Sequence, residues 1–240
     1  MGSGRDPRQI ARRAVILATI SFRSSLELTA HPRVVEISGR LLPWLSVTGC
    51  DDEVDPIERD LLATSYGKLS DSQKIDAKWA GEGAAFFCWA LNLREELEEA
   101  VPANPSNLPT LLGILKPQAH EIIESATLRD QKEIEDTCRQ FVLIRSLLQE
   151  ARVDSPASDI IRRVHVRKLH EVGLSVAEDG VKRAADAIGR MTPKDRANMA
   201  GAYFVRHHSA LWFLSDRRSW VSRAIESSTQ ARGGIATENA

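Results

Sequence analysis

Cysteine is scarce in this chain, and the three residues present, Cys50, Cys88 and Cys138, are far apart and outside any CxxC spacing. An odd, dispersed set argues for reduced thiols in a cytoplasm rather than a disulfide framework. Net charge is equally small: 32 Lys and Arg against 33 Asp and Glu leave −1 at pH 7. Composition therefore gives no electrostatic case for nucleic acid or an anionic membrane. Apolar runs stay short of the ~20 residues that span a bilayer, so no membrane association is expected. The opening MGSGRDPRQIARR lacks the basic, apolar, small-residue order of a signal peptide. Glycine loops that cradle phosphate (GxGxxG, GxxxxGKS or GKT) are missing, and so are GxSxG and HExxH. No period-two run of β-branched residues persists, and no internal repeat is visible, which excludes a sheet and a solenoid. No cofactor is expected.

Helix signals fill the space that these absences leave. Asp6-Pro7-Arg8-Gln9 starts a helix that runs to about Leu28. Arg33 to about Val47 follows, with Pro43 kinking it or marking its last turn. Asp55-Pro56-Ile57-Glu58 repeats the first start signature, and Ser70-Asp71-Ser72-Gln73 is a capping box. The latter launches the helix on which the chain is organised, about 71–99, containing Trp79 to Leu93. Every residue from Ala84 to Leu91 is apolar, and a helix hydrophobic all round must be buried among others. Four prolines between Val101 and Pro117 read as a connection. Helices are then expected over about 118–125, 130–152, 155–172 and 175–189, and from Pro193 to about Glu226. The last of these should bury Ala200, Phe204, His207, Leu211 and Leu214. The reading is an all-α, multi-helix orthogonal bundle around one buried central helix. An N-terminal lobe covers 1–100, a connection 101–117, and a C-terminal lobe 118–226 packed into the same domain, with a disordered tail over 227–240.

Several motifs in residues 12–95 resemble, in order, the domain-of-unknown-function 4272 family. They are Arg13-Ala14, Arg23 and Leu26-Glu27; Arg40-Leu41 and Trp44-Leu45; Glu58, Leu61-Leu62, Gly67 and Leu69-Ser70. The most specific come last: Trp79-Ala80-Gly81-Glu82 and then Trp89-Ala90-Leu91. Beyond residue 130 the likeness thins, with Cys138-Arg139 and His165-Val166-Arg167-Lys168-Leu169 standing where such proteins differ. The resemblance implies a bacterial-type helical domain and supplies no activity.

Glu82 is the candidate for chemistry, because a carboxylate on an aromatic-rich helix face is costly unless paired. Its structural role would be an ion pair with Arg13 or Arg23 of the first helix. Its functional role would be a general acid/base or a cation ligand. His120 and Glu124, four apart, suit two metal ligands on one helix face. Glu95, Glu96, Glu98 and Glu99 form two ExxE pairs, with Glu133 and Asp136 as a generic match on a second helix. Basic clusters at Arg162-Arg163 and Arg167-Lys168 read as a solvated helix face, and a helix-turn-helix over 156–190 has no clear recognition helix. The favoured function is a non-enzymatic, regulatory protein-binding domain, with toxin neutralisation as one role of that class. Trp212, Phe213, Arg217 and Arg218 are its candidate contact patch, since aromatics and arginines anchor interfaces. The alternative is a metal-dependent hydrolase of a nucleotide or phosphoester using helix-borne carboxylates.

Overall fold

The computed structural model describes residues 5–28, 33–97, 102–151 and 178–214. The fold is all-α, with nine α-helices among the described residues: α1 (Pro7–Glu27), α2 (Val34–Val47), α3 (Pro56–Ala63), α4 (Asp71–Ala90), α5 (Leu108–Leu111), α6 (Gln118–Glu124), α7 (Gln131–Glu150), α8 (Glu178–Gly189) and α9 (Pro193–Leu214). The expected helix over 155–172, the capping serine of α8, the end of α9 and the tail lie outside these residues.

Local chemistry sets the helix starts. The Asp6 carboxylate accepts the Arg8 N–H at 3.1 Å, ahead of Pro7, which needs no donor partner in a first turn. Complete capping boxes open α3, from Asp55 and Glu58, and α4, from Ser70 and Gln73. Thr192 and Asp195 exchange hydrogen bonds of 2.7 and 3.1 Å at the head of α9.

Two helices, not one, occupy the centre. α4 is buried throughout from Ala84 to Ala90, as its composition demands, and α1 is equally enclosed from Val15 to Ser21. They pack along their length, running antiparallel: Ser21 Oγ donates to the Lys78 carbonyl at 3.4 Å and Ser24 Oγ to that of Lys74 at 2.7 Å. Gly81 permits the close approach. A Cβ there would lie 2.8 Å from Ser21 Oγ and 3.0 Å from Pro105 Cβ. In the sequence Arg13 and Arg23 look like the polar border of α1; both are buried, and α1 becomes a second core helix because acids meet them.

α4 also stops well before Glu99. Asn92 adopts a left-handed φ of 59°, and the Leu93 N–H bonds the Cys88 carbonyl at 2.9 Å. That geometry terminates a helix, and asparagine tolerates it better than most residues. Arg129 then occupies the carbonyl end: its Nε donates to Trp89 O at 2.6 Å, its Nη2 to Arg94 O at 2.5 Å, and its own N–H to Ala90 O at 2.9 Å. A cation there also suits the negative end of the helix dipole.

The proline-rich connection is itself folded. A 3-10 turn (Pro105–Asn107) leads into α5, and Leu108 and Leu112, one helical turn apart, are fully buried. α6 packs on α1, α8 on α7, and α9 lies on both α4 and α7. A single apolar core takes residues from α1 to α9. At its centre Phe86 meets Phe141 edge-on at 5.4 Å and Phe213 at 6.3 Å, and Phe87 meets Trp212 at 5.3 Å.

Within α9 the buried stripe is Met199, Tyr203, Arg206, Ala210 and Phe213. It is rotated from the expected one, leaving Leu211 and Leu214 each 46% exposed. An arginine in the middle of the inward face disguises the apolar period.

Candidate functional site

Three ion pairs among the described residues are almost wholly buried: Arg13–Glu58, Arg23–Glu27 and Arg206–Glu82. Arg13 grips both oxygens of Glu58, which also accepts the Asp55 N–H at 3.0 Å as the capping-box acid of α3. Arg23 meets Glu27, one turn along α1, and the carbonyl of Thr64 at 3.0 Å; Glu27 in turn accepts the Gly67 N–H at 3.0 Å. These first two pairs tie α1 to the α3 region. The Arg23–Glu27 pair, which a sequence would place on an exposed surface, is buried.

Glu82 therefore pairs with neither Arg13 nor Arg23. Its Oε2 accepts from Arg206 Nε at 2.8 Å and its Oε1 from the Ala103 N–H at 2.7 Å. The carboxylate is 3% exposed and the arginine 0%. Three elements meet at this one group: α4, the connection and α9. The cleft beside it, lined by Trp79, Glu82 and Asn198 among others, holds about 110 Å³. That is room for a few waters at roughly 30 Å³ each, below the ~300 Å³ of a typical ligand pocket. With both oxygens engaged, Glu82 joins these three elements.

The remaining candidates separate. His120 is exposed, and Glu124 pairs with Arg8 at 3.2 Å. Glu95 and Glu96 face water, Glu133 pairs with Arg129, and Asp136 with Lys132 and Arg139; Glu98 and Glu99 lie outside the described residues. No three His, Cys, Asp or Glu among the described residues come together as metal ligands would. Trp212 and Phe213, 5% and 1% exposed, belong to the core. Arg5 covers Trp212, its guanidinium 3.8 Å from the ring and its Nε 2.7 Å from the Trp212 carbonyl. The contact patch expected there is lost, because aromatic side chains at the end of α9 complete the core around Phe86 and Phe87. Arg217 and Arg218, like the clusters at 162–168, lie outside the described residues.

Two features went unread in the sequence. One is α2, whose fourteen residues carry only two charges, Glu36 and Arg40. Its core face uses Val34, Ser38, Leu41 and Leu45, while Val35 is 62% and Val47 87% exposed. Between them on the outer side lie Gly39, whose Cα has open space before it, and Pro43, which cannot donate to the Gly39 carbonyl. The excess of apolar residues over what a one-sided helix needs was the available signal.

The other is a polar cluster between α7 and α9. Arg145 Nη1 meets His207 Nδ1, and the guanidinium lies 5.0 Å over the Phe204 ring. The His208 ring packs on Phe204 at 4.5 Å. Burial, then the charge of Arg145, pushes His207 down to about 3 and His208 down to about 4. The three thiols are all free and buried; burial raises each, Cys50 and Cys88 to about 12, so none is an available thiolate.

The family model described as domain of unknown function (DUF4272) matches residues 2–170. The chain belongs to that family, and the match extends through α7, beyond the stretch where the motifs are plain. Arg206, the partner of Glu82, lies past its end. No curated protein and no solved structure matches the chain.

Proposed function

We propose that this is a non-enzymatic protein-binding domain of the bacterial cytoplasm, and that the outer face of α2 is its docking surface. The observation that carries this reading is the mismatch in α2. Among the described residues, a helix with apolar residues on nearly every side packs mainly against α1, α3 and the 3-10 turn Asp51–Glu53 that follows it. Exposed apolar side chains grouped on one element mark an interaction surface more often than scattered ones do. Helix-on-helix docking needs anchors at one face of this kind. The cytoplasmic assignment is supported by three buried, unpaired thiols and by a chain whose described helices are none of them long and apolar enough to cross a membrane.

The test compares two tagged baits in lysate of the source organism, the native chain and a Val35→Asp/Val47→Asp variant. Both sites are exposed, so the melting midpoint should hold within about 0.5 kcal/mol of stability. The native bait should retain a stoichiometric polypeptide that the variant loses. No retained partner, or equal retention by both baits, overturns the proposal.

A further inference from the structure

We propose that Arg145, His207 and His208, facing one another across α7 and α9, form a binding site for a small oxyanion, either a phosphate or a carboxylate. The argument begins with how this chain treats its other arginines. Those that are almost fully buried end on an oxygen: Arg13 on Glu58, Arg23 on Glu27, Arg206 on Glu82, Arg5 on the Trp212 carbonyl. Arg145 is half-buried and breaks that pattern. Among the described residues no carboxylate pairs with it, and its Nη1 is turned to an imidazole nitrogen. Burial of the guanidinium disfavours its charge, and among the described residues no carboxylate offsets that cost.

The neighbours are arranged as a receptor. With His207 Nδ1 accepting from Arg145, the ring's proton resides on Nε2, at the opposite edge of the imidazole, and the other N–H groups of the guanidinium are the donors left at the cluster's centre. His208 stands 5.8 Å from His207, ring centre to ring centre, and flanks the same cluster. Phe204 lies under both the guanidinium and the His208 ring and holds them in place. A planar guanidinium without a carboxylate partner, flanked by two neutral imidazoles, matches an oxyanion, whose oxygens accept charge-assisted bonds. This site is remote in sequence and in fold contacts from α2, and it stands or falls independently of the docking surface.

The experiment follows the ring resonances of His207 and His208 by NMR in the full chain, at fixed pH and ionic strength, as phosphate or acetate replaces chloride. At least one of the two anions should give saturable shifts, while exposed His120 stays put. Comparing the two midpoints tells phosphate from carboxylate. Arg145→Gln should weaken binding about tenfold or more. If that variant does not fold, His207→Gln takes its place, read on His208. Ring signals unmoved by both anions, or moved as much in the variant as in the native chain, overturn the site.

Discussion

Glu82 owes its role to what meets each of its oxygens. Alone on an aromatic face it would be an expensive charge; between Arg206 and the Ala103 N–H it is fully satisfied. Glu82→Gln breaks the pair while leaving Arg206 buried, and should cost on the order of 3 kcal/mol in chemical denaturation. Glu82→Leu combined with Arg206→Met should recover much of that loss, since apolar replacements of a whole buried pair are often neutral. A single variant that unfolds at the native denaturant midpoint would sink this account. The need for a partner was legible in the sequence, and its identity was not. Arg13 and Arg23 sit on a neighbouring helix, but Glu58 and Glu27 reach them first, and Arg206 is 124 positions away. Short-range chemistry can be read along a chain; a contact of that separation exists only once the helices have packed.

The same division governs the elements. Starts of α1, α3, α4 and α9 are written locally in Asp-Pro, Thr-Pro and capping-box sequences, and the structure uses each of them. The end of α4 hangs on one asparagine and on Arg129, which arrives from the far side of α5 and α6, so the acidic run after it reads falsely as more helix. Where α1 and α4 touch, the helices are held close by Gly81. Alanine is the better helix former by about 1 kcal/mol, yet its Cβ would press on Ser21 Oγ at 2.8 Å and on the Pro105 ring at 3.0 Å. Overpacking of that kind costs ~1–3 kcal/mol, so Gly81→Ala should lower the melting midpoint. Adding Ser21→Ala should restore part of it by removing the nearer atom. A Gly81→Ala protein more stable than the native chain would contradict the packing described.

At the scale of the whole molecule the two histidines on α9 give the fold a pH response. Both are held below the ordinary value, His207 at about 3 and His208 at about 4, so the folded chain keeps them neutral. The unfolded chain protonates them near 6.5. Their contribution is therefore complete above pH ~6.5 and is lost progressively as the pH falls from there towards the folded values. Melting midpoints should drop between pH 7 and 5, before most carboxylates begin to titrate. His207→Asn/His208→Asn should flatten that slope, and an unchanged slope would place the acid response elsewhere. Such a response depends on α9 lying against α7, which no local pattern in α9 announces.

The junction at Glu82 and the cover of Arg5 over Trp212 span 124 and 207 residues of chain. A polypeptide emerging from the ribosome meets them as a matter of time. At ~5–20 residues per second, Arg206 is made roughly 6–25 s after Glu82. Throughout that interval α1 and α4 can pair, but the aromatic side of α4 awaits Trp212 and Phe213, and its carboxylate lacks Arg206. The nascent chain thus carries an open, charged seam that only its own late-made helix fits, and the length of that wait is fixed by where in the message the arginine is encoded.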